Sequence, residues 1–484
     1  MDTKKLRQKI LDLAIRGKLV PQDPNDEPAS VLLERIRAEK EQLIKEGKIK
    51  RTKKSNASDT SHYENMPYTL PNGWCWCKLG DLCSFESGFA FSSNDFKTSG
   101  IPLVRISNIQ DSTVTLKNCV FIQDEVDEKY IIKTGDLLIA MSGATTGKMG
   151  IYSMRQRALL NQRVGNICVQ SRYLTANYRN YFMYSQSDVI LKMAYGGAQP
   201  NISSQMILNI PIPLPPLSEQ YRIVNAIKNL LEIVDRIEEN QISLDKFLCS
   251  IKQKILQLAL SGNLLTHDHN DEPAIDLLRR INPSYKPADN RHYENVPYEV
   301  PESWQWVKLK DLCVFLSRGK SPVYSETDKR YPVFAQKCNL KGGGISLKEA
   351  RFLEPSTISK WKDVYKLQDG DILINSTGTG TVCRTRLFKS EYLCDYPFVV
   401  PDSHVSVIRT YEQISSEYAY LVLSSKFSQD YMMDNLAGST NQKELYISVL
   451  ENLLFPLPPF GEQMRIVKCV NKIYTQLEQI SSEL

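Results

Sequence analysis

The most regular hydrophobic pattern in the chain lies between residues 218 and 261. Eleven positions recur there at alternating spacings of four and three residues, and ten of the eleven are apolar. These positions are Ile223, Ile227, Leu230, Val234, Ile237, Gln241, Leu244, Leu248, Ile251, Ile255 and Leu258. A repeat of 3.5 residues keeps one stripe of a helix facing a partner helix, so the pattern predicts a coiled-coil helix about 65 Å long. An ordinary long core helix is the alternative interpretation.

Residues at both ends of this stretch are typical of helix boundaries. Pro215 and Pro216 precede it, the hydroxyl of Ser218 can cap its first turn, and Gly262 can end it. The same spacing returns in the last 20 or so residues of the chain. The seam positions of that last helix are Ile466, Val470, Ile473, Leu477 and Ile480.

The other segments show different periodicities. Residues 4–17 and 29–46 have helical spacing, with a loop rich in proline and aspartate between them. From residue 68 to residue 216, short apolar and aromatic runs are broken by Gly, Asn, Ser and Asp. This pattern predicts a domain dominated by strands, with a helical part near residues 178–194. The basic run at residues 45–54 is interpreted as a solvated linker, with a nucleic-acid-binding arm as the alternative.

Much of the strand-rich region returns after the long helix, which is the strongest signal in the sequence. Four segments recur: 62–68 at 292–298, 74–83 at 304–313, 135–139 at 370–374, and 213–224 at 456–467. Residues 9–14 also match 254–259, and residues 25–28 match 270–273. The first helix therefore supplies the half that the last helix lacks. Placed end to end, the two would rebuild a second long helix, antiparallel to the first around an axis near Gln241.

The predicted fold class is α+β. Two repeated, strand-rich mixed α/β domains are separated by an antiparallel pair of long coiled-coil helices, in a circularly permuted repeat with pseudo-twofold symmetry. We call the domains head one and head two. The predicted divisions are 1–61 for the N-terminal helices and linker, 62–216 for head one, 217–262 for the central helix, 263–291 for a second linker, 292–457 for head two and 458–484 for the last helix.

Composition restricts the classes of function. The 484 residues carry a net charge of only +5, so charge for binding a polyanion must be concentrated locally. No apolar run is long enough to predict a membrane span, and the eleven cysteines follow no disulfide framework, which predicts a reducing cytoplasm. No cysteine or histidine spacing predicts a metal site. Two inverted heads at a fixed separation suit a DNA duplex, whose strands run oppositely and turn once per about 34 Å.

The repeated motifs resemble those of the DNA-specificity subunit of Type I restriction–modification enzymes, over essentially the whole chain. Pro-Leu-Pro-Pro-x-x-Glu-Gln-x-x-Ile occurs at 213–223 and 456–466. Trp-x-x-x-Lys-Leu-x-Asp-Leu occurs at 74–82 and 304–312, and Gly-Asp-Leu/Ile-Leu-Ile at 135–139 and 370–374.

This resemblance implies two target-recognition domains, each reading one half of a bipartite, asymmetric DNA site. It implies that the helical spacer docks two S-adenosylmethionine-dependent adenine methyltransferase subunits, and that the full complex adds a restriction subunit with an ATP-dependent translocase. The chain itself would catalyse no reaction and bind no cofactor, since S-adenosylmethionine, ATP and Mg²⁺ would belong to the partner subunits.

The variable parts of the heads provide candidate DNA contacts. In head two, Arg318 is expected to contact guanine, with Lys320, Lys329 and Arg330 on phosphates. The further candidates in head two are Gln336, Lys337, Arg384, Arg386, Asn441 and Gln442. The candidates in head one are Arg105, Asn108, Gln110, Arg155, Arg157, Gln162, Arg163, Gln199 and Asn201. For each residue, a structural or solvated role is the alternative.

Catalytic motifs are poorly matched. Residues 143–149, Gly-Ala-Thr-Thr-Gly-Lys-Met, resemble a phosphate loop but lack one residue and the required Ser or Thr, so a turn after a strand is preferred. Asp395-Tyr-Pro-Phe398 departs from the methyltransferase tetrapeptide at its second position. Two alternatives remain open, a self-sufficient DNA methyltransferase or nuclease and a coiled-coil scaffold that does not contact DNA.

Overall fold

The computed structural model describes residues 2–47, 66, 68–110, 112–123, 126–143, 145–195, 200–286, 296–378, 380–438 and 443–483. Its contacts divide the chain into two compact units, Met1–Asn240 and Gln241–Leu484. The division falls within the longest helix, which runs from Leu217 to Leu260 and contributes one half to each unit. The segments 62–65 and 292–295 of the sequence repeat lie outside the described residues, as does most of the basic run at 45–54.

The first unit combines helices at both ends of its sequence with strands between them. Its helices are α1 (Thr3–Ile15), α2 (Ala29–Lys45), α3 (Leu79–Leu82), α4 (Ala176–Ser185), α5 (Ser187–Ala194), α6 (Ser204–Leu208) and the first half of α7 (Leu217–Leu260). Its strands are β1 (Cys75–Lys78), β2 (Cys83–Ser87), β3 (Ile101–Val104), β4 (Ile109–Gln110), β5 (Ser112–Val114), β6 (Val120–Ile122), β7 (Ile131–Ile132), β8 (Leu137–Ala140), β9 (Met149–Ile151), β10 (Ala158–Leu160), β11 (Val164–Val169) and β12 (Pro211–Leu214).

The second unit repeats this arrangement from the second half of α7 onward. Its helices are α8 (Ala274–Ile281), α9 (Ser416–Ser424), α10 (Lys426–Asp434), α11 (Ile447–Asn452) and α12 (Phe460–Glu483). Its strands are β13 (Gln305–Lys308), β14 (Cys313–Arg318), β15 (Tyr324–Ser325), β16 (Pro332–Phe334), β17 (Arg351–Leu353), β18 (Ile372–Asn375), β19 (Thr385–Leu387), β20 (Val400–Pro401), β21 (Val405–Thr410) and β22 (Leu454–Leu457).

Each head contains three sheets, described here for the residues that the structure covers. In head one their orders are β1-β12, β6-β3-β10-β7 and β2-β11-β8-β9-β5-β4; in head two they are β13-β22, β14-β21-β18-β19 and β15-β17-β16-β20. Most neighbouring strands are antiparallel, while β3 with β10, β5 with β9, and β16 with β20 are parallel. The prediction of an α+β fold with two strand-rich repeats is confirmed.

The first and last strands of each head pair with each other. Cys75 of β1 lies opposite Leu214 of β12, and Gln305 of β13 lies opposite Leu457 of β22. Since β12 leads directly into α7 and β22 into α12, this pairing holds each head at the start of a long helix. The apolar core of each unit joins that pair of strands to the helices beside it.

The long helix fits a coiled coil. Among its seam positions, Ile223, Ile227, Val234 and Leu248 are buried, and on α12 so are Ile466 and Val470, whereas Ile480 near the end of α12 is 45% exposed. Each half of α7 also has a terminal helix beside it. Arg7 of α1 donates to Glu238 at 2.9 Å in the first unit, and Lys252 donates to Glu478 of α12 at 2.9 Å in the second.

Candidate nucleic-acid interface

The proline-rich motif at the start of α7 fastens head one to the helix. The indole Nε1 of Trp74 donates to Oε2 of Glu219 at 2.9 Å, and the hydroxyl of Tyr178 donates to the carbonyl of Pro213 at 2.7 Å. Gln220 accepts from the backbone N–H of Thr175 at 2.9 Å, at the N-terminus of α4. Glu219 and Gln220 of the motif therefore connect the helix to the residue before β1 and to the N-terminus of α4, and we call this set of contacts the clasp.

The clasp recurs in the second unit with the equivalent residues. Trp304 donates to Glu462 at 3.0 Å, and Tyr418 donates to the carbonyl of Pro456 at 2.9 Å. Gln463 accepts from the backbone N–H of Ser415 at 2.9 Å. The motif is repeated in the sequence because the same junction between head and helix is built twice.

An ion pair adds a third connection to each junction. Arg222 donates to Asp26 at 2.6 Å and 3.4 Å, while Arg465 forms the same pair with Asp271. The Arg222 guanidinium lowers the pKa of Asp26, whose side chain is only 9% exposed. The matched segments 25–28 and 270–273 of the sequence thus supply the carboxylates that hold a loop against the long helices.

The loop candidates of head two lie around the β18–β19 connection. Gln336 donates to the carbonyl of Thr377 at 2.8 Å, and Arg384 donates to the carbonyls of Asn339 and Gly380 at 2.6 Å and 3.3 Å. Arg386 donates to the carbonyl of Leu340 at 2.8 Å. Gln336 belongs to a 3-10 helix that follows β16. These three side chains hold neighbouring loops in place, and their contact with DNA stays a prediction.

Arg318, the candidate for a guanine contact, has protein partners in the structure. It is the last residue of β14, its side chain is 23% exposed, and its guanidinium donates to the carboxylate of Glu444 and to the carbonyl of Leu445. No sequence pattern points to Glu444, because an isolated acidic residue in a polar loop is usually solvated. The pair brings Arg318 beside the β18–β19 connection, since Glu444 forms a bridge with Thr377.

The phosphate candidates of head two have different partners. Lys329 is exposed, and Arg330 pairs with Asp328 at 2.6 Å. Lys320 lies over the ring of Tyr365, 4.1 Å from its centroid. Lys337 is exposed and follows Gln336, which is bonded to the β18–β19 connection. The sequence analysis did not select Arg351. Its guanidinium lies 3.6 Å from the centroid of the Tyr324 ring and adds a cation and an aromatic ring to the sheet β15-β17-β16-β20.

In head one, two of the candidate residues lie beside the β8–β9 connection. This loop is the predicted turn that superficially resembles a phosphate loop. The carbonyl of Arg163 accepts from the backbone N–H of Met141 at 2.9 Å, and Asn201 forms a bridge with Ser142. Asn108 is buried and caps a turn by accepting from the backbone N–H of Arg105 at 3.0 Å.

Other head-one candidates lie elsewhere or outside the described residues. Arg155 and Arg157 line a cavity of about 280 Å³ with Glu128, and Arg157 approaches Glu128 at 3.7 Å. Gln162 is exposed next to Arg163, and Gln110 donates to the carbonyl of Ser107 at 3.1 Å. The candidates Gln199, Asn441 and Gln442 fall outside the described residues.

The described residues contain no group of three or more His, Cys, Asp or Glu side chains placed to hold a metal ion. In the same part of the chain, no helix has the length and apolarity needed to cross a membrane. Burial raises the pKa of the Cys77 thiol well above its usual value and that of Cys83 to about 12, which keeps both protonated.

Comparison with known proteins assigns the family. The model of the Type I restriction modification DNA specificity domain matches the chain twice, at residues 71–244 and 301–484. The chain belongs to this family. Each match spans most of one head and continues into the long helix that follows it, so the duplication seen in the sequence and in the clasp is a duplication of the family domain.

Two curated relatives come from Escherichia coli. The specificity subunit of the Type I restriction enzyme EcoEI is 27% identical, with 99% of this chain and 90% of the relative covered. The EcoAI specificity subunit is 29% identical, with 97% of this chain and 88% of the relative covered. A chain from a solved type I R-M system has a TM-score of 0.53 and 20% identity, over 86% of this chain and 94% of that one, which supports the fold.

Proposed function

We propose that this chain is the DNA-specificity subunit of a Type I restriction–modification complex, in which each head reads one half of a bipartite, asymmetric site. The observation that carries the proposal is the family domain present twice, each copy clasped to the start of a long helix by the same hydrogen bonds. Because the loops between the clasps differ, the two heads are expected to read different sequences.

The chemistry of the loops supports sequence reading. Amide, guanidinium and carboxylate groups gather around the β18–β19 connection of head two, and Asn201, which carries an amide, lies beside the β8–β9 connection of head one. Such groups recognise base edges in the major groove, while exposed lysines such as Lys329 and Lys337 suit phosphates. The role that we propose for this chain is therefore recognition of a DNA sequence.

The partners follow from this role. We propose that the long helices dock two methyltransferase subunits and set the distance between the half-sites, and that a restriction subunit with an ATP-dependent translocase completes the complex. S-adenosylmethionine, ATP and Mg²⁺ would then act on those partners, in the cytoplasm where the DNA is.

The test compares the assembled complex with and without this chain. A mobility shift of duplex DNA that depends on sequence and weakens with salt is expected only when the chain is present. Mapping methylated adenines in cells that carry the partner genes should give a two-part motif with a fixed gap. A shift that ignores sequence, or methylation that is unchanged when the chain is deleted, would contradict the proposal.

A further inference from the structure

Glu444 in head two and Asn201 in head one occupy the same position. Asn201 forms a bridge with Ser142, and the next residue donates its N–H to the carbonyl of Met141 at 2.9 Å. Glu444 forms a bridge with Thr377, and Leu445 donates to the carbonyl of Ser376 at 2.8 Å. Asn201 therefore lies beside the β8–β9 connection and Glu444 beside the β18–β19 connection, but one carries an amide and the other a carboxylate.

The backbone and the side chain of Glu444 are both held in place. Its backbone exchanges two hydrogen bonds with Ala437, at 2.8 Å and 2.9 Å. Its Oε1 accepts from Arg318, which also donates to the carbonyl of Leu445. The side chain remains 35% exposed, and among the described residues the hydrogen bonds of its carboxylate involve Oε1 only. Glu444 is thus a fixed carboxylate beside the β18–β19 connection, and among the described residues its Oε2 has no hydrogen-bond partner.

The ion pair is specific to head two. Gly88 follows β2 in head one, and Gly319 follows β14 in head two. The N–H of Gly88 donates to the carbonyl of Val164, the first residue of β11, and the N–H of Gly319 donates to the carbonyl of Val405, the first residue of β21, so the two glycines are equivalent. Ser87 therefore stands in head one where Arg318 stands in head two. Both members of the pair are neutral in head one, so the two positions differ together, as expected if they act as one unit.

A carboxylate is an unusual group to present to a polyanion. Phosphates repel it, and it adds nothing to affinity unless it accepts a hydrogen bond from the nucleic acid. In the major groove such donors are the exocyclic amines, N4 of cytosine and N6 of adenine. Arg318 offsets the negative charge of Glu444 and fixes its orientation, which makes the carboxylate a reader of one base rather than a general repulsive group.

On the basis of the proposed function, we propose that Glu444 determines specificity in the second half-site by accepting a hydrogen bond from the exocyclic amine of one base. Arg318 is the positioning residue that holds this carboxylate. Asn201 holds the equivalent place in head one, where its amide can both donate and accept, as adenine recognition requires.

The experiment exchanges the two residues in the assembled methyltransferase complex. Glu444→Asn and Asn201→Glu are each expressed with the partner subunits, and methylated adenines are mapped across the host genome. Glu444→Asn is expected to reduce discrimination at one position of the second half-site by about tenfold and to leave the first half-site unchanged. Asn201→Glu should change one position of the first half-site only. Arg318→Lys should relax the same position as Glu444→Asn.

Two further variants separate reading from folding. Glu444→Gln is nearly isosteric and keeps an oxygen for Arg318, so it should fold as the wild type does and still lose the preference for the amine-bearing base. Glu391→Gln removes an exposed carboxylate from the helical turn Ser390–Leu393 of the same head and should change neither half-site.

Several outcomes would overturn the inference. A Glu444→Gln complex that methylates the wild-type motif with the same discrimination would reduce Glu444 to a structural brace. Loss of specificity in both half-sites would show a general folding effect. If the wild-type complex has no sequence-selective binding, the proposed function itself fails, whereas a selective wild type with an unaltered variant motif rejects the role of Glu444 alone.

Discussion

The indole Nε1 of Trp74 donates a hydrogen bond of 2.9 Å to the carboxylate of Glu219, across the junction between head one and the long helix. The carboxylate is buried, with Gln22 as a second donor at 3.2 Å. Burial raises the pKa of Glu219. A charge is therefore placed in the junction at a cost in desolvation, and the two donors compensate for it.

Glu219→Ala is expected to destabilise the first unit by about 1–3 kcal/mol, because it leaves the buried indole N–H of Trp74 without its acceptor. Urea unfolding followed by tryptophan fluorescence measures the effect. Glu239→Ala removes an exposed carboxylate from the same helix and should change the free energy of unfolding by no more than about 0.5 kcal/mol. Equal effects of the two variants would show that the clasp does not stabilise the junction.

The Asp26–Arg222 pair predicts a dependence of stability on pH. Since the pair lowers the pKa of Asp26 in the folded state, its contribution is present above the ordinary value of 3.8 and is lost as the pH falls through the lowered value. Between about pH 5 and pH 2, the wild type should therefore lose more stability than Asp26→Asn. Urea unfolding at each pH measures the free energy of unfolding of both proteins.

A control for this titration is Asp245→Asn, which removes an exposed carboxylate from α7, the helix that carries Arg222. It should retain the pH dependence of the wild type. Parallel curves for the wild type and Asp26→Asn would mean that the pair does not contribute to folding.

Much of the fold was predictable from the sequence because it depends on local patterns. The spacing of Ile223 and the following seam positions predicted the long helix within one residue at each end, and two copies of one motif predicted two similar heads. The clasp was not predictable, since pairing Trp74 with Glu219 across 145 residues requires the tertiary fold.

The candidate site was harder to predict for a physical reason. Arginine in a loop reads as a DNA contact in sequence, yet Arg318 and Arg384 also satisfy carbonyl and carboxylate groups of their own chain. Glu444 gave no signal, because its position beside Thr377 is set by a bridge between distant segments. Composition identifies which residue types can contact DNA, but only the fold decides which of them already have a partner.

Lys329→Ala is expected to weaken DNA binding by a similar factor for all sequences and to reduce the salt dependence of the association constant by about one unit of slope. The ammonium group is exposed on head two and would contact a phosphate, which carries no base information. Binding measured at several salt concentrations, on specific and non-specific duplexes, gives both quantities. Glu391→Gln serves as the control, and a loss of affinity for the specific duplex alone would assign Lys329 to base reading.

Insertion of one heptad in phase after Gln241 is expected to lengthen the gap in the recognised site and to leave both half-sites unchanged. Seven helical residues add about 10 Å of rise while the apolar seam keeps its register. Mapping of methylated adenines before and after the insertion measures the gap directly. Gln241→Leu alters the seam without changing the length of the helix, so its gap should equal that of the wild type. An unchanged gap after the insertion would refute the role of the helix as a spacer, because the heads would then be positioned by the partner subunits or by the DNA.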